Sequence, residues 1–194
     1  MADGCTLLIL AGGRSRRMGR DKARLPTGDG TLIEHLVRRL GPVVDEAIVA
    51  GGDQALQPAG ARQIEDRYPG MGPLAGMHAG LLEAGYPLVW VVACDLPDVE
   101  PGLGALLRNL AAGVDAVVPR VGEEPEGVCA VYHRSIATRI EVLLRADQRR
   151  VQDLLACVDV RYVTAAELRP VDPVLRSFRN LNTLADYDAW LTAR

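Results

Sequence analysis

Residues 7–22 read LLILAGGRSRRMGRDK and concentrate the groups best suited to chemistry. An apolar run breaks into a loop holding Gly12, Gly13 and Gly19, interleaved with Arg14, Arg16, Arg17, Arg20 and Lys22. Glycines let backbone approach a ligand closely, and their N–H groups can line a concave anion site. The density of cations points to a highly charged anion such as a triphosphate. The two widespread phosphate loops do not fit. Gly19 is followed by Arg20-Asp21-Lys22 where a P-loop needs Lys-Ser/Thr, and Gly12-Gly13 lacks the G-x-G-x-x-G spacing of dinucleotide folds. A solvated basic loop with turn glycines is the alternative; its position after a buried-looking strand favours phosphate binding.

A second chemical group follows Leu88–Ala93, LVWVVA, the most apolar run of the chain. Such a run suits a central parallel strand covered on both faces. Asp95 then stands at the carboxyl end of that strand, where open α/β sheets bind ligands. The 7–22 loop leaves its strand in the same sense and at the same edge. A carboxylate there would repel a triphosphate unless a cation lay between them. Mg²⁺ meets that need, since it takes one or two carboxylates together with phosphate oxygens. Asp98 reads as a helix N-terminal carboxylate or at most a water-mediated partner.

The elements that must position these groups alternate short apolar runs with helical patterns, which predicts a mostly parallel α/β sheet. Cys5–Leu10 is the first strand. Thr31 to Glu34 forms a capping box, and Leu32, Ile33, Leu36, Val37 and Leu40 follow helical spacing up to Gly41-Pro42. His35 on that helix reads as exposed. Strands are expected over 47–50, 61–64, 114–119 and 128–132, with an edge strand over 159–163. Helices are expected over 103–110, 136–145, 151–156 and 184–191. Pro73 suits a helical first turn whose free N–H groups could bind an anion. Gly76 and Gly80 share a face of that helix, fitting either a ligand or close helix–sheet packing; His78 between them receives no role. Asp66, after the third strand, reads equally as a turn carboxylate or a ligand group. Residues 120–127 form an acidic, Gly/Pro-punctuated loop that borders a site or closes a hairpin. Alternation puts Asn180 and Asn182 on one side of an extended segment, to contact a ligand or to satisfy turns, with Thr183 capping the last helix.

Several stretches resemble the molybdenum cofactor nucleotidyltransferases. Their signature is L-A-G-G-x-S-x-R-M-G-x-x-K, and Leu10-Ala11-Gly12-Gly13, Ser15, Arg17-Met18-Gly19 and Lys22 match it. Gly72-Pro73-Leu74-Ala75-Gly76 matches G-P-L-A-G. Residues 178–183 resemble F-x-N-x-N-T, and 128–132 match P-L-C-A-x-Y in part. Gly12 at the third position of L-A-G-G resembles the guanine-using (MobA) family, whereas cytosine-using members carry L-A-A-G. The resemblance implies a Rossmann-like fold of the nucleotide-diphospho-sugar transferase type. It implies transfer of GMP from GTP to molybdopterin or Mo-molybdopterin, with pyrophosphate released and no covalent enzyme intermediate. Arg17, Lys22 and Asp95 would be catalytic, with Asp95 the Mg²⁺ ligand. Leu10, Ala11, Gly12, Gly13, Lys22, Asp66 and Asp95 would bind GTP; Gly72, Gly76, Asn180 and Asn182 would bind the acceptor. The family often has an asparagine after the second strand. Gly51 stands there instead, so that contact is lost or supplied by backbone. Molybdoenzyme chaperones or other cofactor-biosynthesis proteins are further expected partners. The alternatives are a molybdopterin cytidylyltransferase, another small nucleotidyltransferase, or a non-catalytic module that binds nucleotide and delivers cofactor.

Composition is consistent with this and excludes other classes. The chain has 194 residues, 48% of them hydrophobic, enough for one well-buried domain spanning 1–194. A formal net charge of −3 and 4% aromatic content argue against nucleic acid or an anionic membrane as partner. Arg149-Arg150 reads as solvated surface. Cys5, Cys94, Cys129 and Cys157 lie far apart without a C-x-x-C pair, so zinc ligation is not expected and a reducing cytoplasm is. No signal-peptide pattern and no membrane-length run is present.

Overall fold

A computed structural model describes residues 4–11, 22–52 and 58–193. Its sheet has seven strands in the order β3-β2-β1-β4-β6-β5-β7. These are β1 Cys5–Leu10, β2 Glu46–Ala50, β3 Arg62–Ile64, β4 Leu88–Ala93, β5 Ala116–Arg120, β6 Cys129–His133 and β7 Val160–Thr164. β6 pairs antiparallel with β4 and β5, and the other pairings are parallel. The expected strands are all present, displaced by at most two residues at their ends. β4 occupies the middle of the sheet, as its unbroken apolar run requires, and β7 lies at an edge.

Alternation along the strands sorts the core into two layers. Leu7, Ile9, Trp90 and Val92 pack under α1 (Leu32–Leu40) and α3 (Pro101–Asn109). Leu8, Leu10, Val89 and Val91 pack under α2 (Pro73–Glu83) and α4 (Ala137–Arg145) on the other face. Two short helices, α5 (Val151–Leu155) and α6 (Ala165–Leu168), follow, and α7 (Leu184–Thr192) ends the chain. The capping box of α1 forms as its sequence predicts: Thr31 Oγ1 accepts from the Glu34 N–H, and Glu34 Oε2 accepts from the Thr31 N–H at 2.7 Å. After α1, Gly41–Val43 adds a single 3₁₀ turn before the chain leaves for β2.

Close packing explains Gly80. A Cβ there would lie 2.2 Å from Leu8 Cδ2, so the helix–sheet reading holds for this residue. His78 is a buried residue of α2, edge-on to Tyr68 with ring centroids 5.4 Å apart. Burial lowers its pKa, as for a neutral core histidine. His35 departs from its expected exposure. It is half-buried, its Nε2–H donates to the Pro97 carbonyl at 3.0 Å, and its ring meets Trp190 edge-on. Helix α1 faces both the turn after β4 and α7, a proximity that helical periodicity alone does not reveal. Among the described residues, no helix is long and apolar enough to cross a membrane.

Candidate active site

Strand order reverses between β1 and β4: the chain passes from β1 to β2 and β3 on one side, then returns to β4 on the other. At such a switch point the loops leaving two adjacent parallel strands diverge and open a crevice at their carboxyl ends. Leu10 pairs with Ala93 across it, and the Cys94 N–H extends the ladder by donating to the Leu10 carbonyl at 3.1 Å. The loop after β1 and the residues after β4 therefore leave the sheet side by side. The loop's Gly12, Gly13 and Arg17 lie outside the described residues.

Where the chain is described again, Lys22 begins a 3₁₀ turn, Lys22–Arg24, and reaches Asp95. Its Nζ lies 3.1 Å from Asp95 Oδ2, and the two side chains are only 15% and 25% exposed. This is the juxtaposition expected of a phosphate-side cation and a metal-side carboxylate. Nothing in local sequence brings these two residues together, since they are 73 positions apart. The parallel pairing of β1 with β4 does. Asp95 is also held through its backbone: its carbonyl accepts from the Leu181 N–H at 2.9 Å. That bond lays residue 181 against the backbone of the site, and its sequence neighbours Asn180 and Asn182 are both exposed.

Asp66 and Gly76 form a second group. A Cβ on Gly76 would lie 3.0 Å from Leu10 Cδ2 and 3.6 Å from Asp66 Oδ1. Asp66 is half-buried there, and its Oδ1 has no hydrogen-bond partner among the described residues. Burial raises its pKa. Asp66 is thus not a fully solvated turn carboxylate. Gly76 is itself buried, and packing accounts for its missing side chain. It stands with Leu10 and Asp66 rather than with Asn180 and Asn182, because α2 covers the opposite face of the sheet from α1 and α7. Leu10 and Ala11 close the end of β1, both buried, with the Ala11 N–H donating to the Ala50 carbonyl at 2.9 Å. Gly51 has φ 74°, its N–H donates to the Ile64 carbonyl at 3.2 Å, and its own carbonyl accepts from Gln63 Nε2. Its N–H is thus committed within the fold and is not available to replace the asparagine side chain of the resembling family.

The orphaned Asp66 oxygen carries a prediction. A raised folded pKa means that the fold resists ionisation of Asp66. Its contribution is therefore favourable below the ordinary carboxylate range and is lost as pH rises through the raised value. Asparagine keeps the shape but cannot ionise, so it removes the cost of holding a charge at this half-buried position. Asp66→Asn, measured without nucleotide, is expected to raise Tm at pH 7 by roughly 2–4 °C, the shift that about 1 kcal/mol produces in a domain of this size. The gain should shrink toward pH 4. An unchanged or lower Tm at pH 7 would contradict it.

Three features escaped the sequence reading. Asp98 is not a helix N-terminal carboxylate: α3 starts at Pro101 with Glu100 as its N-cap, and Asp98 Oδ1 accepts from the Trp190 indole N–H at 2.9 Å. Asp186 caps α7 by accepting from the Thr183 and Asn182 N–H groups at 2.8 and 3.0 Å. Its bonds with Thr183 and Asn182, together with the Lys22 charge, hold its carboxyl below the usual range. Thr183 caps α7 as its sequence predicts; the reciprocal bonds to Asp186 and the approach of Asp186 to Lys22 are found only in the structure. Finally, Arg149 and Arg150 line an open cleft of about 540 Å³ with Asp147, Gln148 and Asp153. The Arg149 carbonyl lies 3.7 Å from where a Gly72 Cβ would be. This arginine pair therefore sits beside the α2 N-terminus, a relation that no sequence spacing signals. Gly72 itself is exposed and N-caps α2 with φ 76°.

An open, mostly parallel α/β sheet with a cation–carboxylate pair at its switch point defines a Rossmann-like nucleotide-binding protein. Residues 7–166 match the MobA-like NTP transferase domain. A probable molybdenum cofactor guanylyltransferase of Pelotomaculum thermopropionicum is 39% identical over 183 residues, covering 93% of this chain and 89% of that protein. One of Mycobacterium tuberculosis is 37% identical, covering 86% and 87%. The crystal structure of molybdopterin-guanine dinucleotide biosynthesis protein A from Archaeoglobus fulgidus superposes with a TM-score of 0.85 at 28% identity, covering 97% of each chain. A cytidylyltransferase of Thermus thermophilus shares the fold, with a TM-score of 0.68 at 22% identity over 97% of each chain. The chain belongs to the MobA-like NTP transferase family.

Proposed function

We propose that the chain transfers GMP from GTP to molybdopterin, with or without bound molybdenum, and releases pyrophosphate. The observation that carries this reading is the Lys22–Asp95 pair at the switch point. A terminal phosphate oxygen of the acceptor attacks the α-phosphorus of GTP. The bond from that phosphorus to the bridging oxygen breaks, and pyrophosphate leaves with the electron pair. This chain's residues act by positioning and by neutralising charge. Lys22 and Arg17 hold the phosphates and offset charge developing on the leaving group. Gly12 and Gly13 bring backbone against base and phosphate, Leu10 and Ala11 form the wall, and Asp66 offers its unpartnered oxygen to the nucleotide. Gly72, Asn180 and Asn182 remain our candidates for the acceptor, while Gly76 stands on the nucleotide side with Leu10 and Asp66; Arg150 adds a guanidinium near Gly72 suited to a phosphate, whereas Arg149 is paired with Asp147. The four free thiols suit a reducing cytoplasm.

Asp95 fits a divalent metal of the Mg²⁺ type. It is a hard oxygen donor at the phosphate edge, still partly open to solvent and held by Lys22 from one side. Among the described residues, no three His, Cys, Asp or Glu side chains gather as a metal cage. A single carboxylate completed by phosphate oxygens and water is the usual Mg²⁺ arrangement at such sites. When bound, the ion would supply charge neutralisation between Asp95 and the triphosphate.

The test is pyrophosphate release from each nucleotide, with and without molybdopterin. GTP is expected to exceed CTP by roughly ten-fold or more, the discrimination that one or two kcal/mol of fit provides. Gly12→Ala should erode that preference if the missing methyl makes room for the purine; equal loss with both nucleotides would assign Gly12 to backbone conformation instead. A preference for CTP would overturn the guanylyltransferase reading. Nucleotide binding without pyrophosphate release would favour the cofactor-delivery module.

A further inference from the structure

Besides the two layers that cover the sheet, the molecule has a third, small apolar cluster of Leu25, Leu32, Leu181, Tyr187 and Trp190. It is built largely by α7 and the segment leading to it, beyond the 7–166 stretch that matches the family. Its polar contacts are placed unusually. The Trp190 indole N–H donates to Asp98 Oδ1 at 2.9 Å, three residues past Asp95. The Tyr187 hydroxyl donates to the carbonyl of Pro26, four residues past Lys22. The Leu181 N–H donates to the carbonyl of Asp95 itself at 2.9 Å. Trp190 also meets His35, whose ring bonds Pro97. One terminal helix thus grips the loop after β1 and the loop after β4, each just past its member of the Lys22–Asp95 pair. Leu25 in the cluster is linked to Lys22 by its N–H, which donates to the Lys22 carbonyl at 3.1 Å.

We propose that α7 is a positioning clamp for the reaction, with Trp190, Asp98 and Tyr187 setting the separation of Lys22 and Asp95 without touching substrate. This rests on the nucleotidyl-transfer reading. The physical reason is that Lys22 and Asp95 sit on separate connections, and their 3.1 Å pairing cannot by itself hold the two in register when the triphosphate competes for Lys22. A rigid third element bonded to both loops keeps the geometry when the pair opens to admit ligand. Small displacements matter here, since a misplacement of about 1 Å can cost roughly a hundred-fold in rate.

The experiment compares Trp190→Phe, Tyr187→Phe, Asp98→Ala and Asp98→Asn in the full chain. Trp190→Phe and Tyr187→Phe keep an aromatic ring and delete the donor; Asp98→Asn keeps an acceptor oxygen. Pyrophosphate release per folded molecule and amide hydrogen exchange over 22–26 and 93–98 are measured together. Trp190→Phe and Asp98→Ala are expected to lower kcat about ten-fold, with KM for GTP changed less than about three-fold and faster exchange over 93–98. Tyr187→Phe should act in the same direction through 22–26. Asp98→Asn should restore most of the activity. The double variant Trp190→Phe/Asp98→Ala should be no worse than either single one, because both remove the same bond. Wild-type kcat and exchange in Trp190→Phe and Asp98→Ala would overturn the clamp, as would equal losses in Asp98→Ala and Asp98→Asn. A wild-type chain that releases no pyrophosphate would overturn the transfer reading alone, and the exchange measurements would still decide the clamp.

Discussion

Asp95→Asn is expected to lower turnover by two orders of magnitude or more while leaving the fold intact. Asparagine matches aspartate in shape, and the backbone bond from the Leu181 N–H to the residue 95 carbonyl does not depend on the side chain. What disappears is the negative charge at the edge where the triphosphate must lie. Without it, the proposed Mg²⁺ would lose its protein anchor, and the Lys22 ammonium loses its partner at 3.1 Å. Removing one preorganised electrostatic group from an active site costs about 10²–10³ in kcat. The check is pyrophosphate release at several Mg²⁺ concentrations, alongside thermal unfolding to confirm an unchanged fold. Turnover close to normal at ordinary Mg²⁺ would remove Asp95 from the mechanism.

Lys22→Ala should be of similar severity, with GTP use falling by about 10² or more on the same grounds. Here the geometry adds something that sequence could not. Lys22 and Asp95 touch, so their effects cannot be independent. In the Lys22→Ala background the carboxylate of Asp95 faces the phosphates unopposed. Adding Asp95→Asn to Lys22→Ala should therefore cost clearly less than Asp95→Asn costs in the wild type, as residues acting as a unit behave. Fully additive losses would show that the two groups work separately. Lys22→Arg keeps the charge but replaces a compact ammonium by a planar fork, and should recover only part of the loss. Arg17→Ala is expected to resemble Lys22→Ala, and Arg14→Ala to have a much smaller effect, since exposed charges contribute little individually. Equal losses at Arg14, Arg17 and Lys22 would indicate a diffuse basic patch in place of a shaped site.

Much of this protein is written in local patterns. Apolar runs specify β1 and β4 because a strand covered on both faces buries its side chains on both, and the one polar side chain of β1, Thr6, is paired with Glu46. The Thr31–Glu34 and Thr183–Asp186 boxes specify helix starts because they satisfy N–H groups that the helix leaves free. Phosphate chemistry is legible at Gly12 to Lys22 because glycine and cation must alternate within one loop to surround an anion. Asp95 is legible because a carboxylate directly after the most apolar strand is placed at a ligand-binding edge.

What only the tertiary structure decided are relations between distant positions. Local composition leaves Asp66 equally a turn or a ligand carboxylate; only the structure shows its half-burial against α2 and its unpartnered oxygen. Asp98 and His35 each look like surface residues on their own elements, and only the arrival of α7 gives them partners in or beside Trp190. Gly76 and Gly80 share one helix face in sequence, but the size of Leu8 and Leu10 beneath them decides how tightly each must pack. Arg149 and Arg150 gain a neighbour in Gly72 solely because the turn before α5 folds back beside α2. The sequence by itself determined the strands, the main helices and the family, since each depends on spacing within one segment. The pairing of Lys22 with Asp95, the exposure of each carboxylate and the grip of α7 depend on which strands become neighbours, and that is settled by packing across the whole sheet.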